Sequence, residues 1–345
     1  MSDDDADLRC AGCSAVGLDS RRCPSCGLEL GYRYVALPGD DPTPCVECGG
    51  NHFDAEGRCA QCGRARTAPD RFDADLGAVA VLTDRGIAHA RNEDAVAAGV
   101  LEGAAPGAAA SVVIAVSDGV STSSRPQVAS GAAVRAGVGA TAAALATGAP
   151  AAEAIMAGLT AAVQAVRDVD VPDGPAPSCT YVSAVVAHHG EETEITVANV
   201  GDSRAYWLPT GRDGRPADGQ AQRLTVDDSW AQALVDAGAV DERAAMADPR
   251  AHTLIRWLGA DSPPEPWADN CVRTVRVSGP GLLLLCSDGL WNYAPSPSAL
   301  AEQMAGASPA AAARALAEFA LRCGGGDNIT VALAPVPWGS RPSVP

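Results

Sequence analysis

Twice in this chain an apolar run of strand length ends in the same three residues. Residues 112–116 lead into Ser117-Asp118-Gly119, and residues 282–286 lead into Ser287-Asp288-Gly289. A continuous apolar run of about five, closed by glycine, reads as a buried strand followed by a sharp turn. Each strand therefore delivers an aspartate to its rim, and Gly119 and Gly289 are expected to take an unusual backbone angle there and to leave their carbonyls accessible. A lone Asp-Gly is an ordinary turn. A repeated one at the ends of buried strands constrains the fold, because it sets two carboxylates at strand ends.

Three further segments supply acids in the same manner. Asn92-Glu93-Asp94 follows the stretch 78–88, Asp202 sits in a Gly-Asp-Ser turn between strands expected near 193–200 and 204–208, and Asp327-Asn328 precedes a strand at 329–334. Carboxylates that converge repel one another, and cations relieve that repulsion. Oxygen-only ligation favours magnesium or manganese, and an aspartate with several partners suits a two-ion site.

Composition removes rival chemistries. The chain carries 42 acidic against 25 basic residues, a formal charge of −17. That balance disfavours nucleic acid and anionic membranes as partners. Every one of the basic residues is arginine. A phosphate-binding loop lysine, a protein-kinase lysine and a Schiff-base lysine are thereby excluded. The first seven residues are acidic and lack the apolar core of a signal peptide. The apolar runs are too short to span a bilayer, and the alanine-rich stretch 131–146 is interrupted by Arg135. The expectation is a soluble, cytoplasmic protein.

Eight of the 12 cysteines fall within the first 62 residues. Cys10, Cys13, Cys23 and Cys26 form two CxxC pairs, and Cys45, Cys48, Cys59 and Cys62 repeat the pattern. Such spacing closes a tetrahedral zinc site, with Gly27, Gly49 and Gly63 letting each turn close. His52 lies within the second tetrad and is surplus to its four thiols. The arrangement resembles a double zinc ribbon, which implies a small structural module with two zinc ions that docks a partner. The expected division is a zinc-ribbon module at 1–63, a linker at 64–74, a catalytic domain at 75–336 and a tail at 337–345.

In chain order the catalytic part shows Thr83-Asp84-Arg85-Gly86, Asn92-Glu93-Asp94, Ser117-Asp118-Gly119, Ser178-Cys179-Thr180-Tyr181, 198–204, 224–229, Ser287-Asp288-Gly289 and 326–330. Taken together and in this order, these motifs resemble the metal-dependent serine/threonine protein phosphatases of the 2C type. The resemblance implies an α+β fold, a four-layer α/β/β/α sandwich of two antiparallel sheets flanked by helices. It implies that Asp118 bridges two manganese or magnesium ions, that Glu93 and the Gly119 carbonyl serve one, and that Asp288 and Asp327 serve the other. Asp94 would hold water, and Asp202 with Asp288 would take a labile third ion. The reaction implied is hydrolysis of phosphoserine or phosphothreonine in a protein by a water or hydroxide held between the two ions, with no phosphoenzyme. No cysteine is followed six positions later by arginine, and neither HExxH nor GxSxG occurs.

The chain departs from the family at two places. The family's phosphate-binding arginine is replaced by His89, and Arg91, two residues on and on the same face of an extended segment, is the candidate to take over. After Gly119 the chain reads Val120-Ser121-Thr122-Ser123-Ser124, which brings Arg125 towards the mouth of the site. A second reading keeps the fold without turnover: a catalytically weak or inactive regulatory module that binds a phosphoprotein. His188, His189 and His252 show no ligand spacing, and the first two fit a hairpin turn. Helices are expected at 126–147, from Pro150 to about residue 169, at 228–238 and at 309–323, with Ser123 and Ser124 before the first.

Overall fold

A computed structural model describes residues 32–38, 45, 47–50, 52, 58–64, 70–101, 110–170, 174–189, 192–211, 215, 217, 221–304 and 307–336. Cys10, Cys13, Cys23, Cys26 and Gly27, and the tail at 337–345, lie outside them. The chain runs β1 (Tyr32–Leu37), β2 (Arg71–Asp75), β3 (Ala80–Asp84), β4 (Ala95–Leu101), β5 (Ser111–Ser117), α1 (Pro126–Ala146), α2 (Ala151–Arg167), β6 (Ser178–Cys179), β7 (Tyr181–His189) and β8 (Glu192–Val200). It continues β9 (Arg204–Pro209), β10 (Gln222–Arg223), α3 (Trp230–Asp236), α4 (Glu242–Met246), β11 (Leu258–Gly259), β12 (Val272–Ser278), β13 (Gly281–Cys286), α5 (Asp288–Trp291), α6 (Pro297–Gln303), α7 (Pro309–Arg322) and β14 (Ile329–Val336).

Two six-stranded sheets result, ordered β1-β4-β5-β7-β8-β12 and β10-β9-β13-β14-β3-β2. All pairings within them are antiparallel. Helices α1 and α2 pack on the first sheet, and α5, α6 and α7 on the second. This is the expected four-layer sandwich. The continuous apolar runs follow from it, since a strand in the middle of such a stack is covered on both faces. In β5, Val112, Ile114 and Val116 enter the core between the sheets, while Val113 and Ala115 pack with α1 and α2. In β13, Leu283 and Leu285 face the other sheet, and Leu284 and Cys286 join the cluster beneath α5 to α7.

Helix ends follow local chemistry. Pro309 opens α7 behind Ser308, whose hydroxyl accepts the Ala311 N–H at 3.3 Å. The start of α1 differs from expectation. Its cap is Arg125, in the left-handed region at φ 51° with no side-chain cap. Ser123 is spent on the Ser178 backbone instead. Helix α1 is the one helix among the described residues long and apolar enough to cross a membrane, and half of that stretch is buried in the fold.

Two strand pairings run across the expected divisions of the chain. Strand β1 lies between the two cysteine tetrads, yet pairs along its length with β4, from Tyr32 opposite Leu101 to Leu37 opposite Val96. Tyr32 is buried over Gly99, where any β-carbon would meet its ring. Strand β2 begins inside the expected linker, at Arg71, and pairs with β3. The reason is edge satisfaction: β1 and β2 each cap an outer strand of the sandwich that would otherwise expose backbone donors and acceptors. Replacing Tyr32 with Ala is therefore expected to destabilise the catalytic sandwich by about 3 kcal/mol, as loss of a buried aromatic side chain does. Urea unfolding followed at residues of the second sheet checks this, and an unchanged midpoint would mean that β1 is not part of the fold.

Candidate active site

The register of the two sheets puts the predicted acids at one end of the sandwich. Ala95, the first residue of β4, faces Ser117, the last of β5. In the second sheet, Cys286 pairs with Arg204 on one side and Val331 on the other. Glu93 and Asp94 before β4, Asp118 after β5, Asp202 between β8 and β9, Asp288 after β13 and Asp327 before β14 thus share a rim.

The electrostatics show which of these converge. Burial, followed by the charges of Asp94, Asp288, Asp327 and Asp202, holds the Asp118 carboxyl well above its usual range. Asp94 is pushed up to about 7, chiefly by burial, against the hydrogen bond it accepts from Ser287. Burial and then Asp327 push Asp288 up to about 6. Burial and then Asp288 raise Asp202 as well. Five aspartates therefore occupy one field, with Asp118 feeling all four of the others. Asp94 Oδ1 and Asp288 Oδ1 are buried and have no hydrogen-bond partner. Orphaned carboxylate oxygens in mutual repulsion fit hard divalent cations, and the donor set is the oxygen-rich one such ions prefer.

The Glu93 carboxylate is engaged by two neighbouring donors. Arg91 Nε donates to its Oε1 at 2.9 Å and Ser121 Oγ to its Oε2 at 2.6 Å. Gly119 donates its N–H to the Glu93 carbonyl at 3.2 Å. Neither Gly119 nor Gly289 has the positive φ expected of it among the described glycines. Their requirement is space. A β-carbon on Gly289 would run into the Asn328 carbonyl, and one on Gly119 would lie 2.7 Å from the Glu93 carbonyl oxygen.

His89, where the family carries arginine, points its Nε2 at Asp327 Oδ1, 3.1 Å away. Arg125 does not reach the site, since its Nη1 donates to the Asp170 carbonyl at 2.8 Å. His188 and His189 end β7, opposite Thr193 and Glu192.

Several supporting residues had no role assigned from sequence. Asn328 Oδ1 accepts the Glu93 N–H at 2.6 Å, and its Nδ2 donates to the Arg85 and Arg91 carbonyls at 2.7 and 3.1 Å. One side chain thus clamps the whole 85–93 loop. Ser287 Oγ donates to Asp94 Oδ2 at 2.7 Å, Asn92 donates to Thr83 Oγ1 at 2.8 Å, and Thr83 and Thr330 hydroxyls meet at 2.7 Å. Short polar side chains beside each aspartate were the available signal. Arg204, nearly fully buried, binds Asp227 through Nε at 3.0 Å and Nη2 at 2.6 Å. His252 also belongs here: a nitrogen of its ring and carboxylate oxygens of Asp202 and Asp288 all lie within 4.8 Å of one another. These three segments are far apart in sequence, so no spacing announces them.

The second cysteine tetrad forms a separate cluster. Cys45, Cys48, Cys59 and Cys62 bring their sulfurs within 4.8 Å of one another, with Cys45 to Cys62 at 3.6 Å and Cys48 to Cys59 at 3.5 Å. Gly49 and Gly63 adopt φ of 70° and 73°, closing both turns as expected. Backbone N–H groups of Glu47 and Cys48 lower the Cys45 thiol to about 7. His52 is exposed and outside the cluster.

Comparison with known proteins follows the same lines. Residues 87–320 match the family described as Protein phosphatase 2C. The chain is 31% identical over 264 residues to the serine/threonine protein phosphatase PstP of Mycobacterium tuberculosis. That stretch covers 74% of this chain and 44% of PstP, so the chain spans under half the length of this curated relative. The PPM Ser-Thr phosphatase MsPP from Mycobacterium smegmatis, solved in complex with cacodylate, superposes with a TM-score of 0.54 at 27% identity, over 76% of this chain and 99% of that one. The catalytic domain of PstP in complex with two manganese ions superposes with a TM-score of 0.51 at 27% identity, over 74% and 96% of the two chains.

The raised carboxyls give a pH signature in the absence of divalent ions. An acid whose pKa rises on folding binds more protons folded than unfolded, so stability is lost as pH climbs from the unfolded value, about 4, to the folded one, about 7 for Asp94. In EDTA the melting temperature is expected to fall between pH 5 and pH 8, and manganese is expected to reverse that slope. Thermal unfolding at both pH values with and without manganese checks it, and a pH-independent melting point in EDTA would contradict the crowding of the aspartates.

Proposed function

The chain belongs to the protein phosphatase 2C family, and on that footing we propose that it hydrolyses phosphoserine and phosphothreonine in protein substrates with the help of manganese or magnesium. The observation that carries this reading is the crowding of five aspartates at the shared rim of both sheets, with buried oxygens left unpaired on Asp94 and Asp288. A fold that only bound a phosphoprotein would gain nothing from such repulsion.

In this reading Asp118, Glu93, the Gly119 carbonyl, Asp288 and Asp327 would hold two divalent ions, with Asp118 shared between them as the family resemblance implies. When bound, such ions would supply Lewis-acid charge and lower the pKa of a water molecule. Asp94 has Oδ2 fixed by Ser287 and Oδ1 unpaired, which leaves Oδ1 free to accept a proton or hydrogen bond from a metal-held water. Asn328 and the Thr83–Thr330 pair keep the loops from relaxing apart as the carboxylates repel. Arg91 stands next to Glu93 and binds the substrate phosphate, in the role the family gives to the arginine that His89 replaces. The cysteine tetrads hold two structural zinc ions and dock a partner; the sulfur geometry of Cys45, Cys48, Cys59 and Cys62 supports the second of them. The free thiols of Cys45, Cys48, Cys59 and Cys62, gathered for a metal and not paired as disulfides, fit a cytoplasmic protein.

With a phosphothreonine peptide and manganese, the full chain is expected to turn over, EDTA to abolish the rate, and Asp118→Asn to lower kcat at least about a hundredfold. Turnover without divalent ions, or an Asp118→Asn variant as fast as the wild type, would overturn the reading. Arg91→Ala is expected to raise KM and weaken inhibition by inorganic phosphate; if neither changes, Arg91 has no part in phosphate binding. Elemental analysis is expected to find two zinc ions per chain, falling to one in Cys45→Ser.

A further inference from the structure

The helical insertion between β10 and β11 carries His252 to the aspartate rim, and it is built to do so. Its loop is fastened to the start of α3 by backbone hydrogen bonds from Trp230 to the Thr253 carbonyl at 2.8 Å and from Ala231 to the Ala251 carbonyl at 3.1 Å. The Ile255 N–H donates to the Asp228 carbonyl at 2.9 Å, and Arg256 Nη1 pairs with Asp228 Oδ1 at 2.7 Å. The imidazole stacks on Trp291, with ring centroids 5.7 Å apart and planes 25° from parallel. The same indole carries the Arg204 guanidinium 3.5 Å from its centroid and donates Nε1–H to the Asp202 carbonyl at 2.9 Å. One buried tryptophan thus sets the positions of both His252 and Asp202.

The ligand atoms there have little else to do. Asp202 is 5% exposed, and its carboxylate accepts no hydrogen bond from another residue among those described. Asp288 Oδ1 is buried and unpaired, while its Oδ2 takes only the Asn292 amide at 3.1 Å. No side chain among the described residues hydrogen-bonds to the His252 ring. Two carboxylates, with one oxygen of Asp288 unpaired, and one imidazole converge within 4.8 Å.

Resting on the two-ion reading above, we propose that His252 is a nitrogen ligand of a third cation, held together with Asp202 and Asp288. The family resemblance brings only the two carboxylates to this position; the imidazole changes its chemistry. A mixed oxygen and nitrogen donor set suits manganese and its softer neighbours better than magnesium, which keeps to oxygen and water. It also changes the mechanics. Asp202 lies between the two sheets, Asp288 opens α5 just after β13, and His252 comes from the insertion, so one ion would staple the insertion to the sandwich.

The test titrates manganese into the full chain and follows it by electron paramagnetic resonance with nitrogen-14 modulation, beside His252→Ala, His252→Asn and His89→Ala. The wild type is expected to bind three ions, the weakest of them coupled to a nitrogen. Both His252 variants are expected to keep two ions, lose the coupling and bind the third at least about tenfold more weakly; His89→Ala is expected to keep the coupling. Hydrogen exchange of residues 245–257 is expected to slow with the third equivalent in the wild type only. A third ion with no nitrogen coupling, or a coupling that survives in the His252 variants, would overturn the proposal while leaving the two-ion centre standing. Fewer than two bound ions in the wild type would overturn that centre and this proposal with it.

Discussion

Like charge gathered in a buried place is the constraint on which the rest of this structure depends. Asp118 sits among four other aspartates in a low-dielectric setting, where unit charges a few ångströms apart interact far more strongly than in water. The free chain can ease the repulsion by taking up protons, as the raised Asp94 and Asp288 carboxyls show, or by taking up cations. It cannot ease it by moving apart. Antiparallel pairing fixes where each strand ends, and the end of β5, the start of β4, the end of β13 and the start of β14 are locked in register within rigid sheets.

A layer of short polar side chains holds the loops in that position. Asn328, Ser287, Thr83 and Thr330 are all nearly inaccessible, and each spends its hydrogen bonds on the backbone or side chains that carry the aspartates. Thr180 does the same for Asp118, accepting its backbone N–H at 3.0 Å while meeting the Ser203 hydroxyl at 2.8 Å. The buried Arg204–Asp227 pair plays a like part behind Asp202. Positions so fully satisfied give the rim its preorganisation, and it is the carboxylate oxygens left over that mark where cations belong.

How much of this was legible in the sequence varied with the kind of signal. The two runs ending in Ser-Asp-Gly were readable because a strand covered on both faces has to be apolar throughout, and the long helices α1, α2 and α7 were readable from their proline and glycine ends. Strand β12 was not: Val272–Ser278 is an edge strand with most of its side chains in solvent, so no apolar pattern announces it. Helices α4 to α6 are too short to carry a period. The pairing of β1 with β4 was not legible because β1 is bracketed by cysteine tetrads, and nothing local tells a strand of a metal module from one that crosses to β4. His89 and His252 were visible as residues, but their partners Asp327, Asp202 and Asp288 become neighbours only through tertiary packing.

Whether the aspartate rim is a cation centre is settled by anomalous diffraction at the manganese edge from crystals of the full chain grown with manganese. Two strong peaks joined by the Asp118 carboxylate, with Asp288 and Asp327 on one side, are the predicted result. Crystals grown in excess manganese that show no anomalous peak within coordination distance of Asp118 would contradict it.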